Sequence, residues 1–307
     1  MSDSLPVIRL MNKHGDLVAR DGLALCFFMR HSHRDVADRV WSCLEKYRRA
    51  IPPLALGWYG ADDGDMLPLD EAGWTHIRQQ IVERAWGGEW LVDLSELPGG
   101  ASGYHFEYDG RKLDDPIFSR DGSATSGLCF LFPTEYLVSH GPGHFRTLAI
   151  DIARELPFSF GYASPALLSH PGGWFSLRQQ VQEVLHRYLG LDLPRLGDTS
   201  RKLGTQARGA YWLTFLGQPL LGQLGGRETV EGQLDLPGVS VQAVDEERIL
   251  VTLGERPEAI DTTTQSIPPP YLELTRILEP VLYHEDEVTG LPWDPISLRL
   301  RNRRLGE

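Results

Sequence analysis

The stretch Leu23-Ala24-Leu25-Cys26-Phe27-Phe28-Met29 is a continuous apolar run of strand length, with no polar residue to turn toward water on either face. It predicts a central strand buried on both sides, because a half-exposed strand would alternate. Behind it Asp35 stands as a helix cap or first-turn acid, and Val36, Val40, Trp41, Leu44 and Tyr47 trace one helical face. Pro52 and Pro53 stop that helix, and Leu54-Ala55-Leu56-Gly57-Trp58-Tyr59 resumes as a second strand. Residues 23–60 therefore read as one strand–helix–strand unit.

The same word returns as Leu128-Cys129-Phe130-Leu131-Phe132, at a constant offset from residues 25–29. A helix-like segment at 144–156, with Leu148, Ile150, Ile152 and Ala153, ends at Pro157 and leads into Phe158-Ser159-Phe160-Gly161-Tyr162. There Gly161 and Tyr162 match Gly57 and Trp58 or Tyr59 of the first unit. Self-similarity at fixed offset is the signature of internal duplication, so residues 127–168 form a second unit. The expected fold is mixed α/β (α+β), with duplicated strand–helix–strand units forming mixed sheets flanked by helices. An N-terminal α/β lobe, residues 1–120, would carry the first unit. A C-terminal lobe, residues 121–307, would carry the second together with a packed C-terminal region. Further periodic segments predict helices at 74–85, 177–188, 228–234 and 271–282, and strands at 90–94, 104–108, 211–216 and twice within 239–253.

Composition limits what such a chain can do. With 307 residues, 41% hydrophobic and 23% charged, it is an ordinary folding sequence. The 32 Gly and 21 Pro are scattered between apolar segments, predicting ordered turns. A formal net charge of −12 argues against coating phosphate backbones, because that affinity comes from Lys and Arg displacing counterions. No nucleic acid is expected as a direct partner. The first residues lack a basic stretch followed by an apolar core, and no window reaches the roughly 20 apolar residues of a membrane span. A cytoplasmic protein without membrane contact is expected. Cys26, Cys43 and Cys129, far apart among apolar neighbours, read as reduced buried thiols.

No phosphate loop, dinucleotide fingerprint, nucleophile elbow, His-Glu-x-x-His or kinase signature is present. His31 and His33 flank Ser32 after the first strand and could share a metal, but no third ligand stands nearby. They read as loop or helix-entry histidines. His140 and His144 bracket Gly141-Pro142-Gly143, which reads as a turn; Ser169-His170 reads as a turn before a helix, and Gly222 to Gly226 as a tight turn or cap. No catalytic residue, cofactor or metal is expected. Acidic clusters lie at Asp62-Asp63-Gly64-Asp65, Asp245-Glu246-Glu247 and Glu285-Asp286-Glu287, none with a calcium-loop pattern. Asp62, Asp63 and Asp65, three acids in one short Gly-containing loop, can project together toward a basic partner. The basic tail at 299–304 is too short, on so acidic a chain, to predict a nucleic-acid arm.

Two groups of words carry a family resemblance: Gly209-Ala210-Tyr211-Trp212-Leu213-Thr214-Phe215-Leu216-Gly217 with Leu224-Gly225-Gly226, and Phe160-Gly161-Tyr162-Ala163-Ser164-Pro165 with Ser169-His170-Pro171-Gly172. The chain resembles, over most of its length, a bacterial family of type VI secretion immunity proteins. The resemblance implies binding and neutralisation of a cognate secreted toxin effector with a basic nuclease domain. It carries over no individual inhibitory residue. A hydrolase or transferase whose histidines and acids converge only in three dimensions is the alternative from another class.

Overall fold

The computed structural model describes residues 5–84, 87–120, 122–170 and 173–283. In chain order, strand β1 (Arg9–Met11) turns into the long β2 (Leu17–Met29), followed by helix α1 (His33–Ala50). A hairpin of β3 (Trp58–Gly60) and β4 (Met66–Pro68) leads to α2 (Glu71–Arg78), then to β5 (Glu89–Ser95) and β6 (His105–Arg111). After the short α3 (Pro116–Ser119) come β7 (Ser126–Pro133), α4 (Thr134–Ala153) and β8 (Phe160–Ser169). Helices α5 (Arg178–Arg187) and α6 (Leu196–Lys202) precede β9 (Leu213–Leu216), α7 (Leu220–Gln223) and α8 (Arg227–Gln233). The hairpin of β10 (Val239–Ala243) and β11 (Ile249–Leu253) and helix α9 (Pro269–Leu278) complete the described chain.

Among the described residues the strands form one 11-stranded sheet in the order β10-β11-β9-β8-β2-β7-β6-β5-β3-β4, with β1 beside β2. The mixed α/β class expected from sequence is what forms. The expected mixed pairing is not: every pairing between these strands is antiparallel. The apolar run of β2 is explained by cover on both faces instead of by parallel neighbours. Leu23, Leu25, Phe27 and Met29 enter one core with residues of α1, α2 and α4, while Ala24, Cys26 and Phe28 enter a second with residues of α6 to α9.

Both repeated apolar words are central strands, and they pair with each other. Cys26 faces Cys129, Leu25 faces Phe130 and Phe27 faces Leu128, so the two words meet about a local two-fold through the cysteine pair. The second strands of the units do not correspond. β8 lies directly against β2, whereas β3 is separated from it by β7, β6 and β5. Short words such as Gly-Trp-Tyr and Gly-Tyr specify an aromatic strand but not its place in the sheet.

Local signals set the helices. Asp35 lies in the first turn of α1, Arg48 and Arg49 in the last, each sign matched to the helix dipole. The chain leaves α1 at Ile51, the residue before Pro52, where the α conformation is disfavoured. The segment expected as a turn at 140–144 is a break within α4: Gly141 leaves helical geometry with φ 81°, and the helix resumes behind Pro142. Across the second core Arg208 donates to Asp192 (2.5 Å) and to the Tyr162 hydroxyl (2.7 Å), and its side chain is fully buried.

Candidate functional site

Alternation along β5 and β6 assigns their two faces. Trp90, Val92 and Leu94 of β5 and Phe106 and Tyr108 of β6 enter the first core, so Glu89, Leu91, Asp93, His105, Glu107, Asp109 and Arg111 turn to the opposite face. The second core covers that face over β7, β2, β8, β9 and β11. Over β6 it reaches only one end, where α6 packs and the Ser200 hydroxyl donates to Asp109 Oδ2 at 2.9 Å. Gly127 makes this approach possible, because a Cβ there would stand 2.9 Å from Leu196 and 3.2 Å from Ser200. On β5 Leu91, opposite Asp109, is 57% exposed, while beyond α6 the side chains of Asp93 and Glu107 keep 29% and 24% exposure and His105 3%.

The covered end holds an ion-pair system in which Asp109 Oδ1 and Arg111 Nε are buried without a hydrogen bond. Arg111, fully buried, donates to Asp109 Oδ2 (2.5 Å) and to the Thr125 carbonyl (2.6 Å) and lies 3.4 Å from Glu89. The other end carries a second group of charges. Asp93 and Glu107 stand directly opposite each other in the β5–β6 register, an arrangement in which like charges repel. A single imidazole lies between them, His105 Nε2 at 3.1 Å from Asp93 Oδ1 and 3.4 Å from Glu107 Oε1. His105 Nε2 and Asp93 Oδ1 are both buried, and Asp93 is the nearer partner of the imidazole. Burial works against the charge on His105, but Asp93 and Glu107 hold its pKa above the ordinary value. Burial first, then the charges of Asp93 and Asp109, push the Glu107 carboxyl up to about 7, against the opposing pull of His105.

Glu107 also forms the floor of a cleft of about 180 Å³, together with Leu131 of β7. Trp174 and Phe175, whose rings stack at 3.9 Å, form one wall, and Arg195 and Asp198 stand at the other. Phe175 is 61% exposed at the mouth of the cleft. His170, read from sequence as part of a turn, also borders the cleft.

The sequence-derived acids lie elsewhere. Asp62, Asp63 and Asp65 occupy the tip of the β3–β4 hairpin, all exposed. The Asp65 amide donates to Asp63 Oδ1 at 3.2 Å, and Gly64 takes the left-handed conformation the turn needs, φ 89°. Asp245 pairs with Arg248 in the β10–β11 hairpin. Glu285-Asp286-Glu287 and the basic tail lie outside the described residues.

The histidine pairs part company. His33 is buried, stacks on Trp90 at 4.1 Å, meets the Tyr108 hydroxyl at 2.9 Å, and has its pKa lowered to about 4 by burial. His31 is exposed. His140 and His144 stack at 5.0 Å across the break in α4. Among the described residues no group of three or more His, Cys, Asp or Glu is placed to hold a metal ion. Sequence reading missed the β5–β6 face because His105, Glu107 and Asp93 are scattered among core residues. The alternation of His-Phe-Glu-Tyr-Asp in β6 was the available signal.

Residues 39–292 match the TsiV family, described as type VI immunity for VRR-NUC. The chain belongs to the TsiV family. Its immunity role and its nuclease toxin partner are those of TsiV proteins, in agreement with the sequence resemblance. The TsiV fold recurs in the solved structure of the Pseudomonas aeruginosa T6SS protein PA0821, with a TM-score of 0.76 and 19% identity, over 98% of this chain and 87% of that one. At that identity the likeness is one of fold. No curated protein matches the sequence. No helix among the described residues of this TsiV chain is long and apolar enough to cross a membrane.

Proposed function

We propose that this protein acts in the cytoplasm, where it binds the VRR-NUC nuclease domain of a type VI toxin and holds it away from its nucleic-acid substrate. The match to an immunity family across residues 39–292 carries the reading. Charge supports it: a nuclease needs a basic surface for phosphates, and a chain of net charge −12 is drawn to such a surface. The cytoplasm is proposed because the toxin's substrate lies there.

Two acidic features suit the contact, the exposed hairpin tip with Asp62, Asp63 and Asp65 and the β5–β6 face around Glu107. The tip is suited to long-range steering, since exposed charges raise on-rates more than they hold a complex. Co-expression of the toxin's nuclease domain with this chain, followed by growth measurement and co-purification, tests the proposal. Rescue of growth together with a stable complex is expected; neither rescue nor complex would sink it.

A further inference from the structure

We infer that the face of β5 and β6 is the anchor of the toxin interface, where an arginine or lysine of the VRR-NUC domain enters the cleft to Glu107, beside the Asp93–His105–Glu107 group, and lies along the Trp174–Phe175 wall. This inference rests on the immunity reading and assigns its site.

The face has three properties of an unfinished interface. Asp93 and Glu107 oppose each other, and one buried imidazole, His105, serves both carboxylates. A cation brought beside Glu107 would relieve the repulsion between the two carboxylates. Apolar surface is exposed at the cleft, where Phe175 is 61% accessible and a guanidinium could stack. The cleft of about 180 Å³ leading to Glu107 has room for the end of one long side chain. Central aromatic contacts around a desolvated charge are the usual composition of an interface hot spot.

Proton linkage separates this inference from other docking surfaces. Glu107 faces His105 and Asp109 on its own strand, Asp93 on β5, Cys129 on β7, and His170, Arg195 and Asp198 across the cleft. Its carboxyl is partly protonated near neutral pH. A bound cation favours the ionised form, so association releases a proton and tightens as pH rises from 6 to 8.

The test is calorimetric titration of the full chain with a catalytically inactivated VRR-NUC domain of the toxin, at pH 6 and pH 8. Wild type should bind several-fold more tightly at pH 8. Glu107→Gln should bind at least tenfold more weakly at pH 8 and lose most of that pH dependence, while Asp93→Asn also weakens binding. Thermal melts of both variants at each pH verify that the folded chain is compared. Unchanged affinity and pH slope in folded Glu107→Gln, with wild type binding, overturns the anchor and leaves the immunity reading standing. Absence of wild-type binding overturns both.

Discussion

Glu107 carries a cost in the free protein that its environment does not offset. Its folded pKa lies above that of an exposed glutamate, so the stabilising contribution is present below the unfolded value near 4.5 and is lost as pH rises through about 7. Glu107→Gln, which removes the ionisation, should therefore raise the melting temperature at pH 8 and have little effect at pH 4.5. The gain should be on the order of 1–2 kcal/mol, given about 1.4 kcal/mol per pKa unit and the partial exposure of the side chain. A melting temperature at pH 8 equal to or below that of wild type would contradict this account. Arg208 is the opposite case, a charge whose partners Asp192 and Tyr162 are buried with it. Arg208→Met leaves Asp192 uncompensated and should cost about 3–5 kcal/mol in chemical denaturation. Neither residue could be singled out from sequence. A lone Arg or Glu in a polar-looking segment does not reveal that folding has removed its water.

At the scale of elements, β2, β7, α1 and the β10–β11 hairpin were legible, because their signals are local: an unbroken apolar run, a helical stripe ended by Pro-Pro, two apolar words around a polar turn. Pairing was not legible. The strand after α1 reads much like the strand after α4, yet β3 lies near the edge and β8 beside the centre, a choice made by packing of distant helices. The β3–β4 hairpin was not legible as a hairpin, only the strand entering it and the acidic loop at 62–65, and the three aspartates of that loop yield a separate prediction. Reversing Asp62, Asp63 and Asp65 together to Lys should slow association with the toxin nuclease severalfold at low salt, and much less at high salt. Folding should change by about 0.5 kcal/mol or less, as usual for exposed positions. Stopped-flow rates at two ionic strengths check it; identical rates in both would exclude the hairpin from steering.

For the whole molecule, one sheet joins the two lobes read from sequence. β1 pairs only with the first residues of β2, whose apolar run, within residues 1–120, finds both neighbours beyond residue 120, in β7 and β8. A fragment ending at residue 120 would leave the apolar run of β2 without a partner on either edge. We expect it to lack cooperative unfolding by circular dichroism, and to recover a native-like spectrum when mixed with residues 121–307. A sharp melting transition in the isolated fragment would show that the first lobe closes alone. The site belongs to this larger scale too: β5 and β6 supply its acids, while β7, the segment after β8 and the residues leading into α6 enclose its cleft.

The straddled position of β2 also bears on how the chain is made. On a ribosome adding about 5–20 residues per second, the interval from Met29 to Ser126 lasts roughly 5–20 s. Throughout it, a strand with apolar side chains on both faces has emerged without the neighbours that will cover its edges, the state in which nascent chains associate with one another. Translation speed and chaperone supply should therefore govern the yield of this protein more than its final stability does. A cell exposed to incoming toxin would be protected by molecules completed beforehand, with those still being synthesised contributing nothing.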